Sequence, residues 1–326
     1  MRRKSTETND FAEAQRRLVA FANRQFRVRD GNPDDVLLEV VLDEYIQVGL
    51  AGRASQRRCR DFSRMLKRFF QREGLRVVSD MTYDRQGEYM VWRQAWSAAR
   101  GRTLSNATIN RELDVLRAAL THFTRRGLLS SAPYIRKLPS PPPRDRYLSV
   151  DEVSRLLREC RDAHLRLFVL LAVHTLQRPS AILELQTRQV DFAVGRIDFL
   201  PPGAIQSAKR KPVVPISATL RPHLEQALTA TETGYVIEYK GRPVKSIKRA
   251  FKAACLRAQL EAVTPYTLRH TGATLLAGAG VPMRQIAGML GHSHLHTTER
   301  YAKHSPEYLK QAVEVMDRIF ENDSIS

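Results

Sequence analysis

The chain contains 326 residues, with 53 lysines and arginines against 34 acidic residues, and so carries a formal net charge of +19. This length predicts two domains of roughly 100–200 residues each. Hydrophobic residues make up 43% of the chain, which excludes a wholly disordered protein. No apolar run of about 18 residues is present and the basic start lacks a signal-peptide core, so we expect neither a membrane-spanning nor a secreted protein. Three widely spaced cysteines indicate a reducing cytoplasm.

Most of the excess positive charge is arginine, with 42 arginines against 11 lysines. An arginine fork pairs with two phosphate oxygens at once, whereas a lysine acts as a point charge. Together with a sequence pI near 10.3, this composition favours a polyanion as partner, and nucleic acid is the first choice. A basic protein kept soluble by its charge is the alternative.

A proline-rich stretch divides the chain. Four of the residues from 139 to 143 are proline, which cannot continue a helix and favours an extended connector. We therefore predict an N-terminal extension over 1–30, a helical region over 31–135, a linker over 136–146 and a second domain over 147–326. After the linker, Ser149 and Glu152 have the spacing of a helix N-cap with a capping box.

The helical region contains two strong helix predictions, Ser55 to Glu73 and Ser105 to Arg126. In the first helix, four arginines recur at helical spacing opposite an apolar face that includes Leu66 and Phe69. These four residues, called the arginine stripe below, are Arg57, Arg60, Arg64 and Arg68. The arginine stripe is either a solvated face or a contact surface for the phosphate backbone of DNA.

The second domain changes character along the chain. It begins with helices, passes through short strand-like segments over 189–192, 196–200 and 213–216, and returns to helices from about residue 246. The predicted fold class is therefore mainly α-helical with one small antiparallel β-sheet, in a two-domain chain.

Three segments of the second domain carry side chains suited to chemistry. Arg178 precedes an apolar helix, Tyr266 is followed by Arg269 and His270, and His292 follows Leu290-Gly291 nine residues before Tyr301. Taken singly, Arg178 or His292 is explained as a cap of a helix or turn. His292, His294 and His296 alternate in a metal-like pattern, but no cysteine or acid completes it, so we predict neither a metal site nor a cofactor.

Taken together, these segments resemble the three boxes of the tyrosine recombinase, or phage integrase, family. The resemblance implies a two-domain DNA clamp, with a core-type DNA-binding domain over 31–135 and a catalytic domain over 147–326. It implies that Tyr301 attacks a DNA phosphate and stays joined to its 3′ side, while Arg178 and Arg269 neutralise the growing charge. His292 would donate to the phosphate or help the tyrosine lose its proton. Because the phosphotyrosyl link conserves the bond energy, no ATP is needed.

The family also uses a lysine in the β-hairpin loop to protonate the leaving 5′-oxygen. Lys209 is the predicted general acid by its position before the strand at 213, and Lys211 is the alternative, otherwise assigned to DNA contact. His270 is likewise predicted to contact DNA.

Two positions depart from the family pattern. Tyr266 stands where the family has histidine, and it is a poorer proton acceptor at neutral pH, so we expect it to donate a hydrogen bond to phosphate. Ala181 stands where many members carry an acid near the first arginine, so Arg178 needs another orienting group, for which Glu184 is the candidate.

The resemblance implies double-stranded DNA as substrate and a homotetramer on paired sites, and it leaves open whether accessory proteins set direction. A terminal helix with an apolar stripe over 309–320 packs either on its own domain or on a neighbouring subunit. The expected location is the cytoplasm, at the nucleoid. Two rival functions are a non-catalytic DNA-binding protein derived from the family and a type IB topoisomerase.

Overall fold

The structure of the chain is a computed structural model that describes residues 35–139, 145–206 and 210–304, together with 310 and 313–319. The chain divides into two compact units, Met1–Pro143 and Arg144–Ser326. The division falls inside the predicted linker over 136–146. The predicted extension over 1–30 and the predicted general acid Lys209 lie outside the described residues. No helix in the described ranges is long and apolar enough to cross a bilayer.

The first unit is mainly helical in its described part, with an isolated antiparallel bridge between Leu37 and Val77. Short π-helical and 3-10 turns at Tyr45–Gly49 and Val78–Asp80 connect its helices. The helices are α1 (Leu38–Glu44), α2 (Gln56–Glu73), α3 (Tyr83–Ala98) and α4 (Asn106–Arg125). The predicted helices at Ser55 to Glu73 and Ser105 to Arg126 are thus confirmed as α2 and α4.

The core of the first unit forms where the apolar faces of α2 and α4 meet. On α2, Leu66 and Phe69 are buried, as their spacing predicts. The α4 residues at the same periodicity are all fully buried, namely Ile109, Leu113, Leu116, Leu120 and Phe123. Burying such side chains contributes about 1.5–3 kcal/mol each, so this face holds the helices together.

A buried charge network joins α3 to α4. Glu112 accepts a 2.6 Å hydrogen bond from the Tyr89 hydroxyl and a two-pronged contact from the Arg93 guanidinium at 3.0 Å. A buried carboxylate is tolerated only when it is paired in this way. The polar network therefore fixes how the two helices pack.

The second unit is mostly helical. Its first helix begins with the predicted capping box, because Ser149 accepts from the Glu152 backbone N–H and the Glu152 carboxylate accepts from that of Ser149. The helices in chain order are α5 (Val150–Arg158), α6 (Ala163–Thr175), α7 (Pro179–Leu183), α8 (Arg221–Ala230), α9 (Lys248–Arg257), α10 (Pro265–Gly278), α11 (Met283–Leu290) and α12 (His296–Glu299).

Small antiparallel sheets complete the second unit. The strands β1 (Val190–Asp191), β2 (Arg196–Asp198) and β3 (Val213–Pro215) form one sheet in chain order. Ile197 pairs with Val190 on one side and with Val214 on the other. A separate two-stranded ribbon joins β4 (Glu238–Tyr239) to β5 (Arg242–Pro243). The described fold is therefore mainly α-helical with a small antiparallel sheet, as predicted, and has the β4–β5 ribbon in addition.

The close packing of α10 against the end of α6 positions the candidate site. A Cβ added to Gly272 would lie 2.3 Å from the Leu176 Cδ2 atom and 2.4 Å from the Val173 carbonyl oxygen. Only a glycine fits there, so the two backbones approach closely. This approach brings Arg269, one turn earlier on α10, to the carbonyl of Leu176.

Candidate active site

Arg178 lies at the start of α7. Its backbone is extended, and Pro179 follows at the first helical position, where its fixed φ and missing N–H are tolerated. The side chain is half-buried, and its Nη1 donates a 2.9 Å hydrogen bond to the backbone carbonyl of Arg210. The prediction that Glu184 orients Arg178 is wrong, because the Glu184 carboxylate pairs with Lys211 at 2.8 Å. The Arg210 carbonyl, in the segment over 210–212 that precedes β3 and is called the hairpin segment below, holds Arg178 instead.

Arg269 is the most deeply held cation of the site, with 7% of its surface exposed. Its Nη1 donates to the Leu176 carbonyl at 2.7 Å, and its Nη2 donates to the Leu290 carbonyl at 2.8 Å and contacts His292 Nε2 at 3.1 Å. Leu176 adopts a left-handed backbone at φ 58°, which is uncommon for leucine and directs its carbonyl to this use. Among the described residues, no acceptor contacts the Nε proton or the second Nη1 proton of Arg269, which leaves both for a ligand.

The two guanidiniums together form a site suited to an anion. Burial lowers the pKa of both groups, and at Arg269 the nearby positive charge of Arg178 adds to the effect and brings the pKa to about 10. Within the described ranges neither group forms an ion pair with a carboxylate. Two cations that are desolvated side by side are stabilised by an anion that contacts both. A phosphodiester has the charge and the oxygen pattern that arginine forks match.

Gly291 explains the Leu-Gly-His segment. It ends α11 with a left-handed backbone at φ 66°, which favours glycine. A Cβ on Gly291 would also lie 2.6 Å from the Arg210 carbonyl oxygen, the same oxygen that holds Arg178. The glycine therefore lets the hairpin segment and α11 meet, and it places His292 beside Arg269.

His292 has a defined tautomer. Burial, followed by the charges of Arg269 and Arg178, lowers the pKa of His292 to about 4, so the ring is neutral at pH 7. Arg269 can only donate, so His292 Nε2 must accept the Arg269 contact. The proton therefore sits on Nδ1 and is donated to the Thr298 hydroxyl at 2.8 Å. Thr298 is fully buried and holds the ring in place.

Tyr301 lies in a turn just after α12 with 4% of its surface exposed. Its ring packs in a small apolar cluster with Leu176 and Leu290. Its hydroxyl is 2.7 Å from Nδ1 of His270, the residue after Arg269 on α10. Burial raises the pKa of the Tyr301 phenol, and the charges of Arg300 and Arg269 partly oppose this. The phenol is therefore protonated at neutral pH and needs a proton acceptor before it can attack.

The remaining predicted residues of the second unit differ in their placement. Tyr266, at the start of α10, is 55% exposed and lines a cavity of about 940 Å³. It lies near enough to Arg178 and Arg269 to raise the pKa of both guanidiniums slightly against the effect of burial. Lys211 is tied down, since its Nζ pairs with Glu184 and its backbone N–H and C=O both bond the Gln206 amide. Lys209 cannot be placed from the described residues.

The arginine stripe belongs to the first unit, and all four of its side chains are exposed. Arg64 pairs with Asp61 at 2.8 Å, and the Arg68 guanidinium lies 5.7 Å from the centre of the Trp96 ring. Arg100 and Arg93 flank the same ring at 3.7 and 5.1 Å. The first unit thus presents positive charge on one face of α2 and around Trp96.

Several groups that shape the site have no signal in the sequence. The carbonyls of Leu176, Leu290 and Arg210 orient the two arginines, and a backbone acceptor leaves no residue-type signature. The position of the Thr298 side chain is set by the turn before Tyr301. The contact of His270 with Tyr301 is also new, because the sequence suggested DNA contact for this histidine.

Comparison with known proteins agrees with this geometry. A sequence model of the phage integrase family matches residues 146–307. The chain is 32% identical over 222 residues to the tyrosine recombinase XerA of Thermococcus kodakarensis, covering 64% of this chain and 75% of the relative. It is 29% identical over 240 residues to the tyrosine recombinase XerC of Lactobacillus delbrueckii subsp. bulgaricus, covering 65% and 77%.

The fold has solved relatives as well. A structure of the Tn1549 transposon integrase in complex with a circular intermediate DNA is similar at a TM-score of 0.69 and 17% identity, covering 86% of this chain and 99% of that one. The matching segments and the fold define a DNA strand-exchange class of protein. The chain belongs to the phage integrase family and is a tyrosine recombinase.

Proposed function

We propose that the chain is a site-specific DNA recombinase that cuts and rejoins strands through a 3′-phosphotyrosyl intermediate. The observation that carries the proposal is the pair of guanidiniums, half-buried Arg178 and buried Arg269, which lack a carboxylate partner in the described ranges. The buried Tyr301 packs against the same part of the unit, since its hydroxyl contacts His270 on α10 and its ring lies in an apolar cluster with Leu290 of α11. An anion site beside a tyrosine hydroxyl suits transfer of a phosphoryl group to that oxygen.

Arg178 and Arg269 stabilise the negative charge that develops on the phosphate during the reaction. As the Tyr301 oxygen bonds to phosphorus, negative charge grows on the two non-bridging oxygens, and the free N–H groups of Arg178 and Arg269 stabilise it. Their own carbonyl hydrogen bonds fix both side chains before the substrate arrives. This arrangement lowers the cost of reorganisation during the reaction.

His292 supports the same phosphate. In the free protein its Nε2 accepts from Arg269 and holds that guanidinium in place. A bound phosphodiester offsets the charges of Arg178 and Arg269, which favours a proton on Nε2, and the ring then donates to a non-bridging oxygen. Tyr266 is open to solvent beside the arginines, and we assign it a hydrogen bond to the same phosphate.

The leaving 5′-oxygen requires a proton. We assign its donation to Lys209, since Lys211 is committed to Glu184 and to the Gln206 amide. The bond broken is P–O5′ and the bond formed is P–O of Tyr301, so the phosphotyrosyl link keeps the energy that rejoining uses. No nucleotide cofactor is required by this balance.

The rest of the chain would grip and assemble DNA. We propose that the arginine stripe holds duplex DNA by salt-sensitive backbone contacts, and that four protomers act on paired sites. The exposed apolar side chains of the terminal helix over 313–319 suit contact between subunits. Such an enzyme acts on cytoplasmic, nucleoid-associated DNA, with accessory proteins setting direction.

A suicide substrate tests the proposal. A duplex with a nick beside the cleavage site loses its short 5′-hydroxyl strand, so the covalent complex accumulates. The wild type should trap DNA, Tyr301→Phe should bind the same duplex without trapping it, and Tyr266→Phe should still trap it. Binding without trapping by the wild type would instead establish the non-catalytic DNA-binding function. Relaxation of any supercoiled plasmid by a monomer would establish the topoisomerase function.

A further inference from the structure

The contact between His270 and Tyr301 links a titratable ring directly to the proposed nucleophile. The Tyr301 hydroxyl and His270 Nδ1 are 2.7 Å apart, and the two ring centres are separated by 5.8 Å with a 49° tilt. This is a full hydrogen bond between a phenol and an imidazole nitrogen. His270 follows Arg269 on α10, so the same helix fixes the histidine and the cation that faces the phosphate.

Tyr266 does not make the corresponding contact. It is 55% exposed, and no hydrogen bond to its side chain exists among the described residues. A phenol is also a poorer proton acceptor than an imidazole. The position where the family pattern has histidine therefore supplies no base to Tyr301 in this chain.

The surroundings of His270 keep its ring neutral. The charged or titratable groups that act on it are Arg269 on its own helix, Arg300, Tyr301 and His292 from the α11–α12 region, and Asp145 with its partner Lys303. Burial is the largest effect and lowers the pKa of His270, Arg300 and Arg269 lower it further, and Asp145 raises it. A neutral ring beside a protonated phenol accepts the hydroxyl proton when Nδ1 is the unprotonated nitrogen.

We propose that His270 is the catalytic base that takes the proton of Tyr301, in place of the residue at position 266. As the Tyr301 oxygen forms its bond to phosphorus, its proton passes to His270 Nδ1, and the P–O5′ bond breaks with protonation of the leaving oxygen by the general acid. The reverse transfer returns the proton to Tyr301 on rejoining. This inference rests on the proposed phosphotyrosyl chemistry.

The test compares His270→Asn with His294→Asn, the same substitution at an exposed histidine, as matched control, and measures Tyr266→Phe beside them. Asparagine keeps a polar atom near the position of Nδ1 but cannot take a proton. We expect His270→Asn to bind the nicked duplex within about twofold of wild type and to form the covalent complex about 100-fold more slowly, as loss of general-base catalysis predicts. His294→Asn should remain within about twofold of wild type, and Tyr266→Phe, which loses a hydrogen bond to phosphate, should cleave more slowly but keep the wild-type pH profile.

A pH profile separates a base from a merely structural residue. Wild-type cleavage should rise as His270 loses its proton below about pH 6.5 and should then be flat from pH 7 to 8.5. In His270→Asn the rate should keep rising about tenfold per pH unit, because hydroxide must then remove the proton. Added imidazole should restore part of the rate in His270→Ala.

Three results overturn the inference. If the wild type forms a Tyr301 adduct but His270→Asn keeps its rate and pH profile, the base assignment alone fails. If Tyr266→Phe is the variant that loses rate and acquires the rising profile, position 266 holds the base. If the wild type forms no adduct, the inference fails together with the proposed function.

Discussion

Replacing Gly291 with alanine tests whether this glycine sets the position of Arg178. A Cβ at position 291 would lie 2.6 Å from the Arg210 carbonyl oxygen, whereas real Cβ atoms essentially never come closer than 3.0 Å. The carbonyl must therefore retreat by several tenths of an ångström. The same carbonyl accepts the 2.9 Å hydrogen bond from Arg178, so its movement displaces the guanidinium.

The expected loss has two parts that a matched control separates. A left-handed backbone costs a residue with a Cβ about 1–2 kcal/mol, and this lowers the free energy of unfolding. Displacing a catalytic group by 1 Å costs about 100-fold in rate, so a shift of several tenths should cost about tenfold. Gly280 has φ +78° with nothing within 4 Å of its added Cβ, so Gly280→Ala should show the stability loss without the rate loss.

The assay is single-turnover formation of the covalent complex on a nicked duplex, with urea unfolding of the same preparations. Gly291→Ala should cleave about tenfold more slowly than Gly280→Ala while binding DNA equally well. Equal cleavage rates in the two variants would refute the argument that the glycine positions Arg178 through the hairpin carbonyl.

Three further predictions concern packing, pH and DNA binding. Gly272→Ala should lower the free energy of unfolding by about 1–3 kcal/mol or more, because its Cβ overlaps Leu176, whereas Gly288→Ala, a helical site with open space, should not lower it; urea titration checks both. His292 has a pKa of about 4 when folded and about 6.5 when unfolded, so stability should fall as pH drops from 6.5 toward 4. This fall should be smaller in His292→Asn and unchanged in His294→Asn, and a pH-independent difference between these variants would contradict the tautomer argument. Alanine at all four positions of the arginine stripe should weaken DNA binding and reduce the slope of log K against log salt by about 0.9 for each DNA phosphate that the variant no longer neutralises; an unchanged slope would mean a solvated face.

Most of the fold could be predicted from the sequence because the helices have strong apolar periodicity and clear end signals. The apolar spacing in α4 and the capping box at Ser149 both appear in the structure as predicted. Short strands such as Val190–Asp191 were found by their flanking turns, although only two residues pair there. Packing is less visible in a sequence, since the clash that demands Gly272 depends on a helix about a hundred residues away.

Only those residues of the candidate site whose side-chain type indicates a chemical role could be predicted from the sequence. The boxes indicated Arg178, Arg269, His292 and Tyr301, and the structure brings Arg269 against His292. What orients them was not predictable, because the acceptors are mostly backbone carbonyls brought together by tertiary packing. Proximity in sequence favours Glu184 as a partner of Arg178, but in the structure the Glu184 carboxylate pairs with Lys211.

The proposed chemistry requires that Tyr301 becomes covalently joined to DNA. The most direct measurement is mass spectrometry of the protease-digested complex that the wild type forms on a nicked duplex. If Tyr301 is the nucleophile, we expect one modified peptide, with the 3′-phosphate of the DNA on the hydroxyl of Tyr301 and a free 5′-hydroxyl on the released strand. A modification on Tyr266, or a duplex that is bound but never joined to the protein, would contradict it.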